Sequence, residues 1–248
     1  MKFSVCIDAV FRGNDLYPSL KAMRELGIDA FEFWGWWDKD IDTLLSMKNR
    51  LGLTVSAFCT RMVSLVDASQ RAAYLKGLRE TLAVAEKLSC RSIITQVGAD
   101  TGCDRRIQHE SLAEGLRAAA PLLEESGVTL LVEPLNILVD HKGYYLSASR
   151  EGFDVIAEVA SPGVKLLFDI YHQQITEGNL IRNVTADIDK IGHFHAAGNP
   201  GRHELDRGEI RYPEVFRAID EAGYRGYMGL EYFPLEAPLK GLKSLVKE

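Results

Sequence analysis

Eight short apolar runs punctuate the chain, at residues 3–7, 30–33, 53–58, 92–97, 128–132, 164–168, 191–194 and 227–230. Each has the length of a buried β-strand and lies beside a turn or helix-end signal. The segments between them carry helical spacing. Leu16, Leu20, Met23 and Leu26 share one face, and Gly27 ends that run as a helix C-cap does. Ile41, Leu44, Leu45 and Leu51 repeat the pattern before Gly52, and Asp67 is placed to cap a long helix through Ala85 and Leu88. Leu112, Leu116, Leu122 and Leu123 form another face before Gly127; Phe153, Ile156 and Val159 precede Pro162; Val215, Phe216 and Ile219 lead to Gly223. After the sixth run the helix signal is weaker, with 179–188 as the candidate.

Strand and helix alternating eight times imply parallel strands joined by right-handed crossovers. A doubly wound open sheet and a closed barrel both satisfy that order. Eight units averaging about 31 residues fit an α/β fold of the single (β/α)8 TIM-barrel type, one domain over residues 1–248. No GxGxxG follows the first strand, which argues against a dinucleotide site.

Charge and cysteine usage narrow the function. A net charge of −6 argues against nucleic acid as the partner, because phosphate backbones attract basic surfaces. Cys6, Cys59, Cys90 and Cys103 form no CxxC pair and read as free thiols of a reducing compartment. No run approaches the ~20 apolar residues that span a bilayer, and no signal-peptide pattern precedes the first strand. The expectation is a cytoplasmic protein with no membrane partner.

In such a barrel the active site lies at the C-terminal ends of the strands. Glu133, Asp169, His195 and Glu231 end the fifth to eighth runs. Each acidic residue pairing separately with a Lys or Arg is the simpler alternative. Three carboxylates brought together repel one another, and a divalent cation relieves the repulsion. Carboxylates plus one imidazole suit Mg2+ or Mn2+, with Co2+ also compatible. Glu133 and Glu231 can then act as an acid/base pair for a proton beside a carbonyl, with a cation on the developing enediolate. The partner implied is a small hydroxy-carbonyl substrate.

His172 follows Asp169 by three residues and is placed to polarise a substrate oxygen; the alternative is a helix-terminal His bonded to backbone. Arg202 lies in the turn-rich segment 199–204 and can fork onto a substrate carboxylate or diol, or else pair with Glu204 or Asp206. His193 is expected on the opposite face of its strand from His195, in a structural role. Trp34, Trp36 and Trp37 can wall a pocket, join the core, or support a homo-oligomer. Glu32 receives no assignment.

Several of these pieces together resemble the hydroxypyruvate isomerase family of the xylose-isomerase-like sugar isomerase/epimerase superfamily. They are Glu133-Pro134-Leu135-Asn136, Gly143-Tyr144-Tyr145-Leu146, Phe168-Asp169-Ile170-Tyr171-His172, Pro200-Gly201-Arg202-His203-Glu204, Gly208-Glu209-Ile210 and Gly229-Leu230-Glu231-Tyr232. The resemblance implies a TIM barrel that interconverts hydroxypyruvate and tartronate semialdehyde, or related 2-oxo acids. It implies Glu133 and Glu231 as the acid/base pair, and Glu133, Asp169 and Glu231 as metal ligands. Many bacterial members carry Gln where this chain has His195. The ketose 3-epimerases of the superfamily are similar at Gly192-His193-Phe194-His195, at Asp169 with His172, and near Arg202. They carry a second Glu where this chain has Val139. A 3-epimerase acting on a free ketose is therefore the alternative activity. Two further classes are a multi-zinc phosphodiesterase acting on DNA, which needs more imidazoles, and a non-catalytic sugar sensor, for which no partner-reading motif is found.

Overall fold

The computed structural model describes residues 1–246. Its strands are β1 (Lys2–Cys6), β2 (Ala30–Phe33), β3 (Thr54–Cys59), β4 (Ser92–Thr95), β5 (Thr129–Val132), β6 (Val164–Asp169), β7 (Ile191–Ala196) and β8 (Tyr227–Leu230). All eight expected runs are strands. They pair in sequence order, each parallel to the next, and β1 pairs with β8 to close the barrel. Among the described residues the helices are α1 (Ile7–Val10), α2 (Leu16–Glu25), α3 (Ile41–Leu51), α4 (Arg71–Leu88), α5 (Arg105–Ser126), α6 (Ser149–Val159), α7 (Ile170–Thr176), α8 (Leu180–Ala186), α9 (Tyr212–Glu221) and α10 (Pro238–Leu245).

The helix boundaries follow local chemistry. Asp40 caps α3 by accepting from the Thr43 amide at 3.0 Å, and Gly52 ends that helix at φ 62°, where a Cβ is disfavoured. Asp67 caps a short 3-10 turn over Ala68–Gln70, and α4 begins only after it. The weak sixth unit divides into α7, which starts directly from β6, and α8. None of these helices is long and apolar enough to cross a membrane.

Each strand feeds two cores because its alternate side chains point to opposite faces. The outward set, including Val5, Phe31, Leu130, Leu166 and Phe194, packs under the helices. The inward apolar set is smaller: Ala57, Cys59, Ile94, Leu131 and Leu167 cluster inside the barrel, with Trp34 packed against them. This plug closes the barrel interior and leaves the polar strand ends above it as a shaped cup.

Candidate active site

The barrel mouth opens into a cavity of about 600 Å³ lined by Trp34, Gln96, Glu133, His172, His195, Arg202 and Glu231, among others. A larger groove of about 930 Å³ lies elsewhere, against Phe3, Phe216 and Leu245. The titratable cluster is at the first of these.

Glu133, Asp169, His195 and Glu231 are all buried, and each offers an oxygen or nitrogen within 4.8 Å of the others. The strands set this convergence. Glu133 and Glu231 directly follow β5 and β8, Asp169 ends β6, and His195 pairs with Asp169 and with Gly229 in the ladder. His195 Nδ1 lies 3.3 Å from Glu231 Oε2 and 3.5 Å from Glu133 Oε1.

Each carboxylate is also aimed by a neighbour. Gln96 donates to Glu133 Oε2 at 3.0 Å. Trp34 donates its indole N–H to Glu231 Oε1 at 2.5 Å. Asp169 caps α7, with Oδ1 accepting from the Tyr171 amide at 2.7 Å and the His172 amide at 3.1 Å. Its Oδ2 accepts neither of these amides and lies 3.5 Å from His172 Nε2. Arg202 Nη2 is ion-paired to Glu231 Oε2 and lies 3.8 Å from Asp169. Among the described residues it is the one Lys or Arg within ion-pair distance of the cluster, so the carboxylates are not paired one by one with separate cations. Nor does Arg202 pair with Glu204 or Asp206. Glu204 instead accepts from the Leu235 amide at 3.1 Å, and Glu209 from Asn199 at 2.6 Å, which ties down the loop carrying Arg202.

The electrostatics follow from burial and these neighbours. Burial alone raises a carboxyl pKa, and for Asp169 it prevails even against Arg202, so that group titrates above its usual range. At Glu231 burial acts the same way, but Arg202 and His195 outweigh it and hold the carboxylate well below its usual range. Burial works against the charged form of His195, yet Glu231 and Glu32 raise its pKa well above 6.5.

His172 is fully buried. Asn136 fixes its tautomer, because Asn136 Oδ1 accepts from the amides of Val139 and Asp140, so its NH2 group must face His172 Nδ1 at 2.6 Å. Nδ1 is then the acceptor and Nε2 carries the proton. Nε2 has no hydrogen-bond partner and lies 3.5 Å from Asp169 Oδ2 at the cavity. Burial, then Arg202, lowers the pKa to about 3, so the ring is neutral. The Asn136 backbone N–H also donates to the same Nδ1 at 3.4 Å, so the alternative of a helix-start His bonded to backbone is met on that side of the ring, while Nε2 stays free.

One expectation is overturned. His193 does not face away from His195: residues two apart on a strand share a face, and both rings point into the barrel toward Glu32. The Trp cluster also divides. Trp34 reaches the cavity, Trp36 donates to Thr81 at 3.2 Å, and Trp37 is partly exposed. Gln96, Asn136 and Glu32 escaped the sequence reading. Gln96 follows β4 just as Glu133 follows β5, so inspecting every strand end finds it. Asn136 sits in a loop and has no such signal.

The donor set suits a divalent ion on this geometry. Three buried carboxylates share one cup with a single guanidinium, and His195 Nδ1 is buried without a hydrogen-bond partner between two of them.

Comparisons with known proteins agree with the architecture. A family model described as "xylose isomerase-like TIM barrel" matches residues 20–247. Hydroxypyruvate isomerase of Escherichia coli is 30% identical over 98% of this chain and 97% of its own. A 2-oxo-tetronate isomerase of Cupriavidus necator is 40% identical over 56% of this chain and 53% of its own. A crystal structure described as an AP endonuclease, family 2, from Brucella melitensis superposes with a TM-score of 0.94 at 28% identity, covering 99% and 98% of the two chains. The chain belongs to the xylose isomerase-like TIM barrel family and, within it, stands among the hydroxypyruvate isomerase relatives.

Proposed function

We propose that this protein is a divalent-metal-dependent isomerase that interconverts a short hydroxy-oxo acid, hydroxypyruvate and tartronate semialdehyde first, through an enediolate. The observation that carries the reading is the convergence of Glu133, Asp169, His195 and Glu231 at one buried point. The names of the E. coli and C. necator relatives support a 2-oxo acid as substrate.

Glu133, Asp169, His195 and Glu231 would hold the ion, Mg2+ or Mn2+. When bound, it supplies a Lewis acid that stabilises negative charge on adjacent substrate oxygens.

The remaining chemistry belongs to the side chains. One glutamate of the pair takes a proton from C3 of hydroxypyruvate, beside the C2 carbonyl. The C–H electron pair becomes the C2–C3 double bond of the enediolate. A proton returned to C2, with the hydroxyl proton of O3 passing to O2, leaves the aldehyde at C3 and a hydroxyl at C2, so the product is an isomer and no redox partner is needed. Gln96 and Trp34 aim Glu133 and Glu231 at the substrate. The Nε2–H of His172 is a neutral donor for a substrate oxygen. Arg202 balances the charge of Glu231 and Asp169, which lessens the repulsion that an acidic substrate meets in the cup. The net charge of −6 and the single imidazole in the four-residue cluster favour a small molecule over nucleic acid.

A screen in D2O tests the reading. The protein with Mg2+ or Mn2+ and hydroxypyruvate is expected to exchange the C3 proton and form the semialdehyde, and EDTA is expected to stop both. Turnover confined to free ketoses, with exchange at C3 of the sugar, would replace the isomerase with the 3-epimerase.

A further inference from the structure

Glu32 is buried, ionisable and unused by the chemistry above. It lies on β2 and points into the barrel. Its Oε2 accepts from His193 Nε2 at 2.9 Å and from Ser56 Oγ at 3.0 Å. Ser56 is joined in turn to Ser4 Oγ at 2.5 Å. Its Oε1 lies 2.9 Å from His195 Nε2, although the pair is not aligned as a linear hydrogen bond. The carboxylate is thus anchored by one oxygen and presents the other to His195.

The wall opposite is shaped for this pair. A Cβ on Gly229 would stand 2.2 Å from Glu32 Oε1 and 2.6 Å from His195 Cδ2. β8 gives up an inward side chain where the carboxylate and imidazole meet. Burying a charge is costly unless it is well paired, and this carboxylate is held between the imidazoles of His193 and His195.

His195 offers two nitrogens. Nδ1 faces Glu133 and Glu231, and Nε2 faces Glu32. A ring nitrogen that ligates a metal must present a lone pair, so the proton has to sit on the other one. A carboxylate behind the ring places it there and fixes the ring plane; loss of such a partner typically weakens metal binding about 10–100-fold. Resting on the metal-site reading above, we infer that Glu32 is a positioning residue. It takes the Nε2–H of His195 and so directs the Nδ1 lone pair to the cation, while His193 and Ser56 hold Glu32 in place.

Two measurements test this, neither relying on turnover. Free Mn2+ is followed by electron paramagnetic resonance while metal-free wild-type and Glu32→Gln chains are titrated. Nitrogen–proton spectra of histidine-labelled, Mg2+-loaded wild type report which nitrogen of His195 carries the proton. The expected results are an Nε2–H on His195 and Mn2+ binding about 10–100-fold weaker in Glu32→Gln. A proton on Nδ1 overturns the inference, as does equal Mn2+ affinity in a folded Glu32→Gln chain. The wild-type spectrum decides the matter if that variant does not fold. Wild-type protein that binds no Mn2+ at all overturns the metal reading itself, a distinct outcome.

Discussion

Replacing Gly229 by Ala adds one methyl group where the barrel has no room for it. The new carbon would lie 2.2 Å from Glu32 Oε1 and 2.9 Å from Glu32 Cδ, where carbon–oxygen contacts normally exceed about 3.4 Å. The carboxylate must withdraw by more than about 1 Å, or β8 must move outward. Neither is easy. Ser56 and His193 hold the carboxylate from the far side, and β8 is bonded to both β7 and β1. Overpacking of a closed site costs about 1–3 kcal/mol. For a chain of this size each kcal/mol lowers the Tm by about 2–4 °C, so the metal-free variant should melt about 2–12 °C lower. The same shift disturbs His195, whose Cδ2 the methyl approaches at 2.6 Å. Mn2+ should therefore raise the Tm of Gly229→Ala less than it raises that of wild type. Scanning calorimetry with and without Mn2+ reads both effects. A variant with wild-type Tm and a wild-type Mn2+ increment would show that β8, Glu32 and His195 are not packed as argued.

Glu133→Gln and Glu231→Gln should each lower turnover at least about 10²–10⁴-fold with the circular dichroism spectrum unchanged; near-normal rates in either would remove that residue from the acid/base pair. Trp34→Phe keeps the aromatic wall but deletes the donor to Glu231. A hydrogen bond to a charged group contributes about 1.5–3 kcal/mol, so kcat/KM should fall about 10–100-fold, and an unchanged value would make the contact incidental. Leu167→Ala opens a void in the barrel interior, where Leu167 is fully buried. Denaturant unfolding should show a loss of about 2–5 kcal/mol, and a loss under about 1 kcal/mol would mean the plug is not close-packed.

The barrel was legible because parallel strands in this fold are buried on both faces. They stand out as unbroken apolar runs, as at Leu130-Leu131-Val132 and Leu166-Leu167-Phe168. Its ligand-type residues were legible for a related reason: a charged residue that ends such a run has nowhere to go but the barrel mouth. Glu133, Asp169 and Glu231 follow that logic, and the structure brings them together with His195. Glu32 was not legible. It lies within β2, and its partners Ser56 and His193 are 24 and 161 residues away. Its place inside the apolar run 30–33 signals burial, but nothing local names the groups it meets. His193 was misplaced through its strand period: two residues make a full repeat, so it had to share the face of His195. The α7–α8 unit was blurred because Asp169 both ends β6 and caps α7, leaving no loop between strand and helix.

The central claim is that four side chains from β5 to β8 share one divalent ion. Anomalous diffraction at the manganese edge, from crystals grown with Mn2+, tests it most directly. One strong peak per chain is expected, bonded by Glu133, Asp169, Glu231 and Nδ1 of His195. A saturated crystal with no peak among these four residues, or with the ion elsewhere, would contradict it.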